Sequence, residues 1–123
     1  MAKILVVDDD TQTTALIESL IKMSGHEPTS VNQSWNAVAT AKSTVPDLIL
    51  LDIMMADING IDLCKMFKAD PELKKIPVIM VSALDDDGSK KDSYNAGAKD
   101  YITKPFLSKE FTRKINAVLS ETA

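Results

Sequence analysis

The 123-residue chain predicts an α/β fold, a doubly wound five-stranded parallel sheet in the order 2-1-3-4-5 with a helix after each strand. Three observations predict it. Short apolar runs alternate five times with stretches of helical period. The runs at residues 3–7, 48–51 and 76–81 are apolar apart from Lys3 and Pro77, as strands covered on both faces must be. Those at residues 27–31 and 101–103 are polar, Pro-containing or short, which suits sheet edges. Strands one, three and four therefore belong in the centre, and two and five at the margins.

Each element has its own warrant. Residues 3–7, Lys-Ile-Leu-Val-Val, make the first strand. From Thr11 to about Ser24, Leu16, Ile17, Leu20 and Ile21 form a helical stripe, and Gly25 stands where a left-handed C-terminal cap is expected. Asn32 and Ser34 are capping types ahead of a second helix striped by Trp35, Val38 and Ala39, so Trp35 is expected to pack. Pro46 breaks the chain before the third strand. The third helix starts near Gly60, carries Leu63, Cys64 and Phe67, and stops at Asp70–Pro71, with Cys64 a small buried hydrophobe. The fourth, at about residues 87–96, holds mostly Ser, Lys, Asp and Asn around Tyr94, so little apolar surface anchors it. A final helix over residues 107–120 is striped by Phe111, Ile115, Val118 and Leu119. His26 falls in a predicted surface loop, and the methionines read as core or loop fillers.

Composition sets bounds on function. Hydrophobic residues make up 45% and charged residues 26%, with four Gly and five Pro, the profile of one ordinary globular domain spanning residues 1–123. Fourteen basic against eighteen acidic residues give a net charge of −4, which argues against direct nucleic-acid binding. The longest apolar runs are four residues, too short for a membrane span or a secretory leader, so a cytoplasmic protein is expected. One cysteine and one histidine exclude an internal disulfide and His-rich metal sites.

In such sheets ligands sit beyond the carboxyl ends of the strands, beside the point where the winding reverses. Strand one ends in Asp8, Asp9 and Asp10, strand three in Asp52, strand four in Ser82-Ala83, and strand five in Thr103-Lys104-Pro105. With strands one and three adjacent, Asp8 and Asp9 lie close to Asp52. Three carboxylates so placed repel one another unless a cation sits among them, and hard oxygen ligands suit Mg²⁺. Lys104 and the Ser82 hydroxyl approach from the other side. Carboxylates, a divalent metal, a lysine and a hydroxyl around one concave spot are what phosphoryl transfer requires.

The order Val6-Val7-Asp8-Asp9, Leu50-Leu51-Asp52, Gly60, Val81-Ser82-Ala83 and Tyr101-Ile102-Thr103-Lys104-Pro105-Phe106 resembles a response-regulator receiver domain across essentially the whole chain. The resemblance implies the flavodoxin-like (βα)5 fold and roles for the acids, Ser82, Tyr101 and Lys104. Asp52 is the implied phospho-acceptor, taking a phosphoryl group from a phosphohistidine on a sensor histidine kinase or phosphotransfer protein. Asp9 and Asp52 are implied direct ligands of Mg²⁺, Asp8 acts mainly through water, and the Met54 carbonyl is a further ligand. Lys104 is implied to pair with Asp52 and then with a phosphoryl oxygen. Ser82 bonds another such oxygen, Tyr101 changes rotamer with it, and the Lys104–Pro105 bond is cis. Such a protein assists its own phosphotransfer and autodephosphorylation rather than acting as an enzyme. It presents the face of helix four, strand five and helix five to a downstream effector protein or output domain, and takes no membrane partner.

One position departs from the family pattern: Ala56 stands where a proline is usual, which frees the loop backbone. Asp10 is expected to cap the first helix, and Asp85, Asp86 and Asp87 to form a solvated acidic turn before the fourth. Three other readings compete. A flavodoxin-like electron carrier shares fold and size, but Asp8-Asp9-Asp10 would repel a flavin phosphate. A phosphatase of the haloacid-dehalogenase type is suggested by Asp8-Asp9-Asp10-Thr11-Gln12, whose last position departs from that pattern. A receiver-like module could bind partners without phosphorylation, against which the full acid, Ser82 and Lys104 set argues.

Overall fold

The computed structural model describes residues 1–122. Strands and helices alternate along it: β1 (Lys3–Val7), α1 (Thr11–Met23), β2 (Glu27–Val31), α2 (Ala37–Thr44), β3 (Leu48–Leu51), α3 (Gly60–Ala69), β4 (Val78–Ser82), α4 (Asp87–Asn95), β5 (Asp100–Thr103) and α5 (Ser108–Thr122). The sheet is parallel throughout, in the order β2-β1-β3-β4-β5, as the apolar character of the strands requires.

Alternate side chains of the central strands feed two separate cores. Leu5, Val7, Ile49, Leu51, Val78 and Met80 face α2, α3 and α4, where they meet Ala41, Leu63, Cys64 and Phe67. Ile4, Val6, Leu48, Leu50, Ile79 and Val81 face α1 and α5, where they meet Ile17, Ile21, Phe111 and Ile115. β2 contributes only Val31 to either core, and its Pro28 sits on the sheet edge. Register then positions the site. Val7 pairs with Leu51, so the chain leaves β1 and β3 at one level, and Ser82 pairs with Thr103, which brings the start of the β5–α5 loop alongside.

Local details differ from the sequence reading in five places. β4 begins at Val78, because residues 70–76 form a turn folded on Asp70, whose carbonyl accepts from Leu73 and Lys74 and whose side chain accepts from Glu72 N–H. Neither Asn32 nor Ser34 caps a helix: Ser34–Asn36 form a 3₁₀ turn ahead of α2, without a side-chain cap on either. Trp35 does not pack. The small Ala37 and Ala41 face the sheet, so the helix lies close and the indole turns outward, 61% exposed. On α1 the buried set is Thr14, Ile17 and Ile21, which leaves Leu16 exposed.

His26 is half-buried rather than free. Its Nδ1 accepts from Ala2 N–H at 3.1 Å, and its Nε2 lies 3.2 Å from Asn116 Oδ1. Gly25, at φ +85°, ends α1 as expected. The end of α2 was less legible: Val45 caps it in the left-handed region at φ 48°, pushed there by Pro46, which disfavours the helical region for its predecessor.

Candidate functional site

Asp8 follows β1 and Asp52 follows β3, and Asp52 N–H donates to Val7 carbonyl at 2.9 Å, so the two carboxylates emerge side by side. One carboxylate oxygen from each of Asp8, Asp9 and Asp52 lies within 4.8 Å of the others. Asp8 and Asp52 are 2% and 7% exposed, whereas Asp9 is open to solvent. Lys104 Nζ reaches over from the β5–α5 loop to Asp8 Oδ2 at 2.8 Å and to Asp52 Oδ2 at 3.7 Å. The lysine thus spans both acids and sits nearer Asp8, where the sequence reading paired it with Asp52 alone.

Local bonds hold each acid in place. Asp8 Oδ1 accepts from Asp10 N–H at 2.9 Å, and Asp52 Oδ1 accepts from Ile53 N–H at 2.8 Å. Asp10, one residue past the cluster, caps α1 by accepting from Gln12 N–H at 3.0 Å. The acidic turn ahead of α4 does the same through Asp86, which accepts from Ser89 N–H at 2.9 Å. Hydrogen bonds from Thr13, then from Gln12 N–H, hold the Asp10 carboxyl below its usual range. Asp52 behaves in the opposite way. Burial, then the charge of Asp8, push its carboxyl up to about 6, against the pull of Lys104 and of the Ile53 N–H.

On the far side, Ser82 is fully buried and its Oγ accepts from Leu84 N–H at 3.2 Å. Tyr101 is buried as well, and its hydroxyl donates to Leu84 carbonyl. Both bonds converge on one residue, so Leu84 couples Ser82 to Tyr101. Burial raises the Tyr101 phenol above its ordinary range. Lys104 N–H donates to Ser82 carbonyl at 2.8 Å, and the Lys104–Pro105 bond is cis as expected. Met54 lies two residues past Asp52, its side chain 62% exposed in the β3–α3 loop. Ala56 is exposed in the same loop, which is pinned without the usual proline. Ile58 N–H donates to Ser34 Oγ at 2.9 Å, and Gly60 N–H to Ile53 carbonyl at 2.7 Å.

Two residues were assigned no role at the site by sequence reasoning. A Cβ on Gly60 would lie 1.9 Å from the Asp52 carbonyl oxygen, so only glycine lets α3 begin against the backbone of the acid. Asn32, a capping type by its identity, instead donates through Nδ2 to the Asp8 carbonyl at 2.9 Å and to Thr14 Oγ1 at 3.3 Å, tying the β2–α2 loop to the acid cluster. The glycine's position in the motif order was the one available signal. The Asn32 contact runs between loops and leaves no pattern along the chain.

Three carboxylates against one lysine leave a deficit of positive charge in a half-enclosed spot. The donors are all oxygens, with one acid open for entry, so the set fits a hard divalent cation that keeps part of its water shell.

A family model for the response regulator receiver domain matches residues 4–116. Protein PilH of Pseudomonas aeruginosa is 34% identical over 120 residues, covering 98% of this chain and 99% of PilH. The DNA-binding dual master transcriptional regulator RpaA of Synechocystis is 33% identical over 122 residues. The phosphate regulon transcriptional regulatory protein PhoB of Pseudomonas aeruginosa is 37% identical over 119 residues. The chain covers 51% and 52% of these two regulators, about half the length of each. Among solved structures, the receiver domain of the Francisella response regulator 1452 superposes with a TM-score of 0.92 at 30% identity, covering 100% of both chains. Receiver domains are regulatory modules that bind Mg²⁺ at an acidic pocket and interact with sensor kinases or phosphotransfer proteins and with effector domains. Sheet order, acid cluster and sequence all lead to one assignment: the chain belongs to the response-regulator receiver family of two-component signalling.

Proposed function

We propose that residues 1–123 form a single cytoplasmic receiver in which Asp52 accepts a phosphoryl group from a phosphohistidine on a sensor kinase or phosphotransfer protein. The observation that carries this reading is the meeting of Asp8, Asp9 and Asp52 within 4.8 Å, with Lys104 bridging two of them. An oxygen of ionised Asp52 attacks phosphorus. An acyl-phosphate O–P bond forms as the donor's N–P bond breaks, and the imidazole leaves with the bonding pair. Asp8, Asp9, Asp52 and the Met54 carbonyl are the groups that would hold Mg²⁺, whose charge would let an anionic phosphoryl group approach three carboxylates.

The chain's own residues do the rest. Lys104 offsets the charge gained when a carboxylate becomes a phosphoryl group of roughly −1.5 to −2. The Ser82 hydroxyl accepts from Leu84 N–H, so its own proton is available to a phosphoryl oxygen. Drawing Ser82 towards that oxygen pulls on Leu84, which also holds the Tyr101 hydroxyl, and Tyr101 then turns into the vacated space. α4 is the element most free to follow, since Ser93 is its only buried residue. The response is therefore read by an effector protein or output domain at the face of α4, β5 and α5. The phosphoryl state is temporary and is reset by autodephosphorylation, so the protein is a switch and not an enzyme with turnover on a separate substrate.

Intact mass after incubation with acetyl phosphate and Mg²⁺ tests this reading, run beside Asp52→Asn and a chelator control. One added phosphoryl group, lost in both controls, is the expected result. No addition to the folded, Mg²⁺-supplied protein, from acetyl phosphate or from a phosphorylated kinase, would overturn it and leave a receiver that binds partners without phosphorylation.

A further inference from the structure

Trp35 has no counterpart in the phosphoryl chemistry, yet it is 61% exposed in the turn that follows β2. Tryptophan contributes large apolar area at low entropic cost, and a solvent-facing one is the residue type most enriched in interface anchors. Its surroundings add two independent observations. The preceding Ser34 is tied by the Ile58 N–H bond at 2.9 Å to the β3–α3 loop, which connects the turn that carries Trp35 to the loop that carries the exposed Met54. On the other side Gln33 and Asn36, the residues flanking Ser34 and Trp35, open onto a polar groove of about 400 Å³ that runs over Ser30 and Thr40.

The occupant follows from the chemistry next door, and this step rests on the phospho-acceptor reading of Asp52. Asp52 is 7% exposed, so a donor carrying its phosphoryl group on a protein side chain must press its surface against the rim loops to reach it. The rim on this side is acidic as well as apolar, with Asp9, Asp57 and Asp62 all exposed. We propose that Trp35, with the groove over Ser30 and Thr40 flanking its turn, anchors the phosphoryl-donor protein from the β2–α2 side, in an apolar socket bordered by basic residues. Small donors such as acetyl phosphate need no such socket.

The contrast between donors supplies the test. Each histidine kinase encoded with this protein is autophosphorylated with labelled ATP, and the fastest donor to the wild type is then tried on Trp35→Ala, Thr40→Tyr and Leu16→Ala. Acetyl phosphate labelling is measured in parallel on every variant. The expected result is that Trp35→Ala slows transfer from the kinase at least about tenfold, and that Thr40→Tyr, which fills the groove, slows it several-fold. Both should leave acetyl phosphate labelling unchanged, and Trp35→Phe should recover part of the loss. Kinase transfer to Trp35→Ala within about twofold of wild type would overturn the proposal, as would a loss matched by acetyl phosphate. Impairment by Leu16→Ala alone would also overturn it and seat the donor on α1. Labelling by acetyl phosphate but by no kinase would overturn the docking proposal and leave the phospho-acceptor reading standing. Labelling by neither donor would remove that reading itself.

Discussion

Asp52 must be ionised to attack phosphorus, yet burial and Asp8 raise its carboxyl to about 6. A carboxyl raised above its unfolded value of 3.8 binds its proton more tightly in the folded state, so ionising it opposes folding. The penalty is absent below the unfolded value, grows as pH rises from there to about 6, and is fully present above. In chelator at about pH 7.5, Asp52→Asn should therefore be more stable than wild type by about 2 kcal/mol, with the rim's solvent screening already discounted. The two proteins should converge near about pH 4 in thermal melts, and equal stability at both pH values would show that Asp8 and Lys104 leave Asp52 unstrained. Gly60 makes a second demand at this scale. A Cβ there meets the Asp52 carbonyl at 1.9 Å, backbone against backbone, with no flexible side chain to yield. Gly60→Ala should cost about 3 kcal/mol in urea denaturation and should also slow acetyl phosphate labelling, because the start of α3 and Asp52 must move apart. A variant with wild-type labelling would show that the loop absorbs the methyl group away from the acid.

Helices differ in how firmly the sheet holds them, and α4 is held least. α3 buries Leu63, Cys64 and Phe67, and α5 places Phe111, Ile115 and Val118 in the core, whereas α4 buries Ser93 alone. Its other ties include the Asp86 cap, a Tyr94–Asp100 side-chain hydrogen bond, Lys90 over the Tyr101 ring at 5.8 Å, and the Leu84 carbonyl held by Tyr101 just before it. Amide exchange in residues 87–95 should be faster than in α3 or α5. Protection across residues 83–106 should then change when beryllofluoride and Mg²⁺ mimic the phosphoryl state, and unchanged protection would exclude α4 as the responding element. The weak anchoring of α4 was legible from composition, as were all five strands and the helices with bulky stripes. What misled the reading at α2 was size. A tryptophan at helical spacing suggests a buried stripe, but alanines permit the closest approach to a sheet, and the close approach is what excluded the indole. The turn at Val45 left no glycine or asparagine to mark it, since the neighbouring proline alone sets that conformation.

At the scale of the molecule, the site was legible because parallel topology converts chain position into spatial position. Each strand's carboxyl end delivers its next residue to the same edge, so strand order alone predicted that Asp8, Asp9 and Asp52 would meet. Strand order could not predict contacts made between loops, such as Asn32 on the Asp8 carbonyl, or the closer approach of Lys104 to Asp8 than to Asp52. Because the acids come from different strands, the cluster exists only while the sheet is intact, and a cation held there is bound by the folded chain and not by the unfolded one. Binding of this kind raises global stability by mass action, about 2.7 kcal/mol at a hundredfold excess over Kd. Mg²⁺ should thus raise the melting temperature of the whole domain at about pH 7.5, reversibly with chelator, and the rise should saturate with concentration as a single site does. Asp9 is the acid for which this separates binding from folding, since it is exposed and its loss removes no buried contact. Asp9→Asn should melt close to metal-free wild type and should lose most of the Mg²⁺-dependent rise. An undiminished rise in that variant would place the cation away from the Asp8, Asp9 and Asp52 cluster.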